Sequence, residues 1–430
     1  MAPGHDLRRP YKRAAVTDQE RRRVAALRRQ EQQRADSQHR ARCLASSVLS
    51  LPSGSGPTPT EPVGPIEPGE SWTGLEEVEM EEEEEPGKER DLNAARASRM
   101  SGPEVRRWFA RQLMLPEWMI DVPTSLSGDW YVFPRPAGNR CFVVSSNGTT
   151  VSRARNGSIL HHFPSALPNG ARTKDVSGPS SSFSILDCIF HEPDQTYYVI
   201  DMVCWRGYSL YDCTAEFRFF WLNSKLMETG ACNPPSHYHK YKFSVVPIYD
   251  CDQAGLESAY MGPMPYAKDG LSFYNKHAHY QTGNTPLALM WKDDKCSQHV
   301  LDTDGKGQVP VQQQVVLELQ DDGKLVTSDD PPVIFGCLDG EFVQKLGLRS
   351  GNLLRFAVSD DGIRLVNEKL EVTNIHYIAK ASRARAFADS YSKVLFQHAA
   401  RHSPLKFEDL ITSLYQCHGQ DSESTDIEMA

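Results

Sequence analysis

Hydrophobic patterning divides the chain near residue 104. Upstream of it, apolar side chains are sparse. Residues 17–43 read TDQERRRVAALRRQEQQRADSQHRARC, with apolar positions concentrated at Val24, Ala25, Ala26 and Leu27. No Gly or Pro interrupts the run and Thr17 or Asp18 can cap it, so the pattern predicts one continuous helix. Without a second apolar stripe this helix has no face to bury and should fray on its own. A Pro/Gly/Ser linker follows at 52–70, then the acidic run EEVEMEEEEE at 76–85. Both read as extended, solvated chain.

Downstream, short apolar runs alternate with turn residues. A short helix is expected over 106–117. Strands are expected at WYVFPRP (130–136), RCFVVSS (140–146), SFSILDCIF (182–190) and TYYVIDMVCW (196–205), and again at FRFFWLN (217–223), YKFSVVPIYD (241–250), DGLSFYN (269–275) and PLALMWK (286–292). Such a series describes an α+β domain built on mostly antiparallel sheet, extending to about residue 310. Beyond it, VVLELQDDGKLVTS and LLRFAVSDDGIRLVN each place an Asp-Gly turn between alternating runs, the signal of a hairpin. Residues 377–402 and 405–415 read as helices. The expected organisation is a basic helix region at 1–45, a linker at 46–100, a β-rich domain at 101–310, a tail of hairpins and helices at 311–420, and a disordered end at 421–430.

Composition narrows the class. At 430 residues the chain can hold two or three domains, and 39% hydrophobic content is low enough to leave part of it unpacked. It contains no run of about 18 apolar residues, which argues against a membrane span, and MAPGHDLRRPYKR lacks the apolar core of a secretory signal. Ten scattered cysteines without a CxxC pair argue against a zinc site or a disulfide framework. They suit reduced thiols in cytosol or nucleus. The net charge of -9 conceals a basic block at 8–42 and an acidic one at 76–85. The basic segment reads either as an arginine-rich tail touching RNA or as a helix that folds inside an acidic receptor, and its continuity favours the receptor.

Candidate chemistry lies in the β-rich domain. Trp118 and Trp291 offer aromatic faces for a base, whereas Trp130, Trp205 and Trp221 read as core. Arg140, Arg153 and Arg155 offer guanidinium forks that match phosphate. These residues alone support a β-rich domain able to bind a nucleotide.

Longer segments carry more. QERRRVAALRRQ, SWTGLEE, QLMLPEWMIDVP, PAGNR, ILDCIF, QTYYVIDMVCWRG, YDCTAEFRFFWLNSKL, DGLSFYNKHAHY and TPLALMW occur in this order over roughly 10–42 and 72–295. Together they closely resemble the snurportins, import adaptors for capped spliceosomal small nuclear ribonucleoproteins. The resemblance implies an importin-β-binding helix (Arg13, Arg21, Arg22, Arg23, Leu27, Arg28, Arg29), followed by a domain for the 2,2,7-trimethylguanosine cap of U snRNA. It implies a fold similar to the nucleotidyl-transfer domain of mRNA capping enzymes, shuttling between nucleus and cytoplasm, no cofactor, and an export receptor of the leucine-rich-signal class as a further partner.

Capping enzymes carry K-x-D-G-x-R, whose lysine attacks the nucleotide. Here the motif falls on RPAGNR, residues 135–140. Arg135 replaces the nucleophile and Ala137 the aspartate, and a guanidinium with a pKa above about 12 does not shed its proton to attack. Asp187 in ILDCIF is followed by Cys188 and Ile189 where capping enzymes have a D-G-E acid, and Met290 stands at a lysine position. The expected activity is therefore recognition without catalysis, the rivals being a general RNA-binding protein and a GTP-dependent nucleotidyltransferase. Carried over by resemblance, Trp291 stacks on the methylated guanine and Trp118 flanks its N2 methyls. Leu115 and Pro116 form the adjoining wall, Gly138, Asn139 and Arg140 approach base and phosphates, Arg135 holds phosphate, and Arg155 replaces a lysine near the phosphate bridge. Two departures stand out. Pro116 replaces a serine, removing an N–H. TPLALMW has one residue more before its tryptophan than the family spacing, which in a strand turns the side chain to the other face unless a bulge absorbs it.

Overall fold

The computed structural model describes residues 8–30, 37–46 and 108–416, apart from 174–176, 180–181, 305, 360–361, 367–368, 373 and 383–384. The linker and acidic run at 47–107 and the C-terminal 417–430 lie outside the described residues, as does the side chain of Arg13.

Two sheets face each other. The first has strand order β1-β12-β11-β2-β10, with β1 at Met114–Trp118, β2 at Trp130–Pro136, β10 at Tyr249–Asp250, β11 at Lys268–Asn275 and β12 at Gly283–Trp291. The second runs β5-β4-β3-β6-β7-β8, from β3 (Asn139–Ser146), β4 (Thr149–Ala154), β5 (Ile159–Phe163), β6 (Ser184–His191), β7 (Thr196–Trp205) and β8 (Tyr208–Ser209). Strand β9 (Lys242–Val245) adds beside β7. Only β1 on β12 and β9 on β7 pair in parallel, so the domain is α+β and mostly antiparallel.

Every residue of β6 and β7 is buried, because the second sheet is covered on both faces. Phe133, Tyr274 and Ala288 of the first sheet meet Phe142, Val144, Ile185, Ile189 and Tyr198 of the second in the core between them. The outer face of the second sheet buries Leu186, Tyr197 and Val199 under Leu222 and Leu226 of helix α3 (Ala215–Met227). The outer face of the first sheet buries Trp130, Leu271, Leu289 and Trp291.

Several elements differ from the sequence reading. The run at 217–223 is part of helix α3: Thr214 caps it by accepting from Phe217 N, and Phe219, Leu222 and Leu226 recur at helical spacing. Its aromatic content mimics a strand, but its buried positions do not alternate. Residues 114–117 are strand, with helix only at 108–110 of that stretch. The basic helix begins before Thr17, and residues 31–36 of the expected run lie outside the described residues. Helix α1 spans Arg8–Gln30 and α2 spans Ser37–Ser46. Nor does α1 lack a buried face: Gln19, Arg23, Ala26 and Gln30 are buried on the domain. Ala26 packs on Ala278 and Leu287, Gln30 Nε2 donates to His277 O at 2.8 Å, and Arg22 pairs with Glu117. Its buried face is polar, so a count of apolar positions does not find it.

The tail forms a third sheet in the order β15-β14-β13-β16-β19, from β13 (Gln313–Leu319), β14 (Lys324–Val326), β15 (Ile334–Cys337), β16 (Leu353–Val358) and β19 (Ile375–Lys380). The first Asp-Gly turn does join a hairpin, β13 with β14. The second does not: β16 pairs with β13 and β19, while β17 (Ile363–Val366) pairs with β18 (Lys369–Val372). The helix expected at 377–402 begins only at Tyr391, its first residues belonging to β19. Helices α5 (Tyr391–His402) and α6 (Phe407–Gln416) then return to the cap of the first sheet, helix α4 being Gln253–Met261. Among the described residues no helix is long and apolar enough to cross a membrane.

Candidate functional site

The candidate site, here called the cleft, is the region where Arg135, Arg140 and Arg155 of the two main sheets come close enough to act on one another, with Arg385 of the tail beside them. Alternation along the strands decides what reaches it. On β2, Trp130 and Val132 point to the outer core and Phe133 to the inner one, the side shared by Arg135. On β4, Val151 joins the inner core, the side shared by Arg153 and Arg155.

Arg135 pairs with Asp269, which also accepts from Lys292 and, at 2.8 Å, from Ser297 Oγ. Burial alone would raise the Asp269 carboxyl, but Arg135 and Lys292 hold it below the usual range. Burial in turn pushes Arg135 and Lys292 down. Two cations thus share one carboxylate, leaving positive charge facing the cleft. Lys292 also lies over the Trp118 ring, 5.9 Å from its centroid.

Arg140 is engaged differently. Its Nε and Nη2 donate to Asp187 at 3.1 and 2.7 Å, and Nη2 also donates to Met114 O at 2.6 Å. Tyr280 Oη donates to the same carboxylate and accepts from Met114 N. With its side chain 10% exposed, Arg140 ties β1 to the sheets through Met114 and Asp187. Asp187 accepts from both Arg140 and Tyr280 within that tie.

Arg155 is the contrasting case. It is exposed and, among the described residues, makes no ion pair. Desolvation by surrounding residues, then Arg140 and Arg385, push its pKa down, and its guanidinium lies 5.7 Å from the Phe387 ring. Gly138 and Asn139 are exposed in the turn between β2 and β3. Gly138 has φ +147°, and a Cβ there would stand 2.3 Å from Phe190 O, so only glycine fits. Leu115 is buried in the inner core and Pro116 is half-buried at the irregularity between β1 and β12.

Trp291 does not line the cleft. It is 0% exposed, packs on Tyr260 and Phe407, and donates from Nε1 to Leu405 O at 3.0 Å. The pairing of β12 with β11 is regular over 288–291, whereas its pairing with β1 shifts register between Thr285 and Leu289. In this register Trp291 lies in the outer core and half-buried Met290 takes the inner face. Trp118 is half-buried and packs against the edge of the same outer cluster as Trp291, with the Phe396 ring of α5 at 4.6 Å and the Lys292 ammonium 5.9 Å from its centroid; its partial exposure leaves it the remaining aromatic candidate. Trp130 and Trp205 are core as expected.

Residues 112–292, the span that builds both sheets of this cleft, match the family model of the Snurportin1 m3G cap-binding domain. Over that span the chain is similar to the snurportin cap-binding domain. That likeness covers the cleft and stops short of the third sheet and of α5 and α6, so the roof of this snurportin-like domain lies outside the matched span. Solved structures similar to the chain include a mycobacterial DNA ligase D complexed with ATP and MES, at 12% identity and TM-score 0.30, covering 63% of this chain and 95% of that one. The ligase domain of M. tuberculosis LigD is similar at the same identity and TM-score, covering 64% and 95%. Likeness at that level carries no conclusion about activity.

Asp269, Lys292, Arg385, Phe387 and Asp389 are site residues that sequence reasoning missed. Lys292 was within reach: it sits two positions after Met290 and hence on the same strand face.

Proposed function

We propose that the chain is a non-enzymatic nuclear import adaptor that holds the 2,2,7-trimethylguanosine cap of U snRNA in this cleft. It links the capped ribonucleoprotein to importin-β and shuttles between nucleus and cytoplasm, returning with an export receptor of the leucine-rich-signal class. The observation that carries the reading is the match of residues 112–292 to a cap-binding domain over a cleft that is aromatic at Trp118 and cationic at Arg135, Lys292 and Arg155. A trimethylated guanine is cationic and electron-poor, which favours an indole face by about 0.5–2 kcal/mol. Met290 adds a polarizable contact on the inner face. Arg155 suits the phosphate bridge, and Leu115 and Pro116 the adjoining wall. Gly138 lets the backbone of Asn139 approach closely.

Arg135 argues for recognition without catalysis. A guanidinium committed to Asp269 supplies no lone pair for attack on a phosphate. Labelled GTP with magnesium should leave no covalent adduct on the chain. The basic region at 1–45 then serves importin-β through Arg13, Arg21, Arg22, Arg23, Leu27, Arg28 and Arg29. Its docking on Glu117 supports a free protein that keeps this helix folded back.

Bridging tests the adaptor role. Immobilised RNA carrying a trimethylguanosine cap should retain importin-β only when the chain is added. Importin-β that fails to join at low salt, where arginine–carboxylate attraction is strongest, overturns the reading.

A further inference from the structure

One segment of the tail reaches from the second sheet to the edge of the first. At its start, Arg385 donates from Nε to Phe387 O at 3.0 Å, and the Phe387 ring lies 5.7 Å from the Arg155 guanidinium of the second sheet. At its end, Ser392 Oγ accepts from Trp118 N at 3.1 Å, and Phe396 packs on the Trp118 ring of the first sheet. Between these points Asp389 anchors it. The carboxylate accepts from Val316 N at 2.8 Å and pairs with Arg385 and Lys393. Burial would raise this carboxyl, but Lys393 and Arg385 hold it below its usual range. The strap therefore touches the proposed phosphate-binding arginine at one end and the proposed base-binding tryptophan at the other.

Charge gives the strap a chemical preference. Arg385 and Lys393 share Asp389, and Lys393 reaches Asp302 as well at 2.6 Å, so two cations meet two carboxylates here and Arg155 supplies the charge in excess. Arg385 stands beside Arg155, which among the described residues has no carboxylate partner. Two arginine forks, one from the turn after β4 and one from the segment after β19, backed by one aromatic ring, form a seat for a linear polyanion rather than for a neutral ligand.

We infer that the tail completes the cap site, with Arg385 contributing a second guanidinium to the polyphosphate bridge opposite Arg155, and Phe387 fixing the position of Arg155. This inference rests on the cap-binding reading of the cleft. The phosphate-binding half of the site is then divided between the matched domain and a module outside it.

The test separates the two claims. The full-length chain and its Arg385→Gln variant are titrated with a trimethylated cap dinucleotide and with trimethylguanosine nucleoside, following tryptophan fluorescence. Glutamine keeps a donor for Asp389 and removes the charge. The expected result is a loss of about tenfold for the dinucleotide and unchanged affinity for the nucleoside. Unchanged affinity for both ligands overturns the inference and leaves cap binding standing. A wild-type chain that binds neither ligand overturns the cap-binding reading itself. If Arg385→Gln weakens both ligands alike, the conservative Phe387→Leu variant decides. A loss of severalfold confined to the dinucleotide supports the shared site, and equal behaviour toward both ligands refutes it.

Discussion

The position of Trp291 makes the sharpest distinction between the two accounts of this site. If Trp291 stacks on the base, Trp291→Ala abolishes cap binding in a protein that folds normally. The structure predicts the opposite pattern. Trp291 is fully buried against Tyr260 and Phe407, with its indole N–H donated to Leu405 O. Replacing a buried tryptophan with alanine costs about 3–5 kcal/mol, and the orphaned carbonyl adds to that. At about 2–4 °C per kcal/mol for a domain of this size, melting should fall by roughly 10 °C. Trp291→Phe should fall less and retain cap affinity within about twofold at a temperature where it is folded. Trp118→Ala should behave in reverse, losing about 1–3 kcal/mol of binding through its stacking face. Differential scanning fluorimetry paired with titration of a trimethylated cap dinucleotide checks both. Loss of binding in Trp291→Phe at unchanged melting temperature would refute the outward register of β12.

Three further predictions follow from the ion pairs. Arg218 and Asp201 are both fully buried and joined by two hydrogen bonds of 2.8 Å, so Asp201→Asn should destabilise the second sheet by about 3–5 kcal/mol in urea denaturation; a change within error would contradict the pairing. Asp269 is held below its usual range, so its contribution to stability is complete above about pH 4 and lost as pH falls through its lower folded value. Melting temperature should therefore fall less steeply between about pH 4 and pH 2 in Asp269→Asn than in wild type, and equal slopes would show that Asp269 does not couple folding to pH. Burial raises the Glu117 carboxyl, and Arg22 and Gln19 partly offset this, so Glu117→Gln should loosen helix α1. Faster tryptic cleavage within 21–29 and tighter importin-β binding are expected, and an unchanged cleavage rate would remove Glu117 as the anchor.

The strands of the paired sheets were legible because burial on both faces or alternation along one face leaves a local trace. TYYVIDMVCW is buried throughout and reads as a strand at once. Helix α3 was not legible, since FRFFWLN has strand-like composition and only its spacing of buried positions reveals a helix. The replaced nucleophile was legible in RPAGNR, but the use of its arginines was not. Arg135 meets Asp269 across 134 positions and Arg140 meets Asp187 across 47, and nothing local marks either partner. The extra residue before Trp291 announced a reversal of faces, and only the packing of Trp291 in the outer core decided it. The basic helix shows the same limit. Its docking relies on Gln19, Arg22 and Gln30, polar residues that a hydrophobic pattern counts as solvent-facing.

Cap selectivity tests the central claim most directly. The full-length chain is titrated with a 2,2,7-trimethylated cap dinucleotide and with its unmethylated counterpart at one salt concentration. An unmethylated amine buried against Trp118 without partners costs about 1–3 kcal/mol, and the neutral ring forfeits the cation–π attraction as well. The account predicts at least tenfold preference for the trimethylated cap. Equal affinity for the two dinucleotides would contradict it.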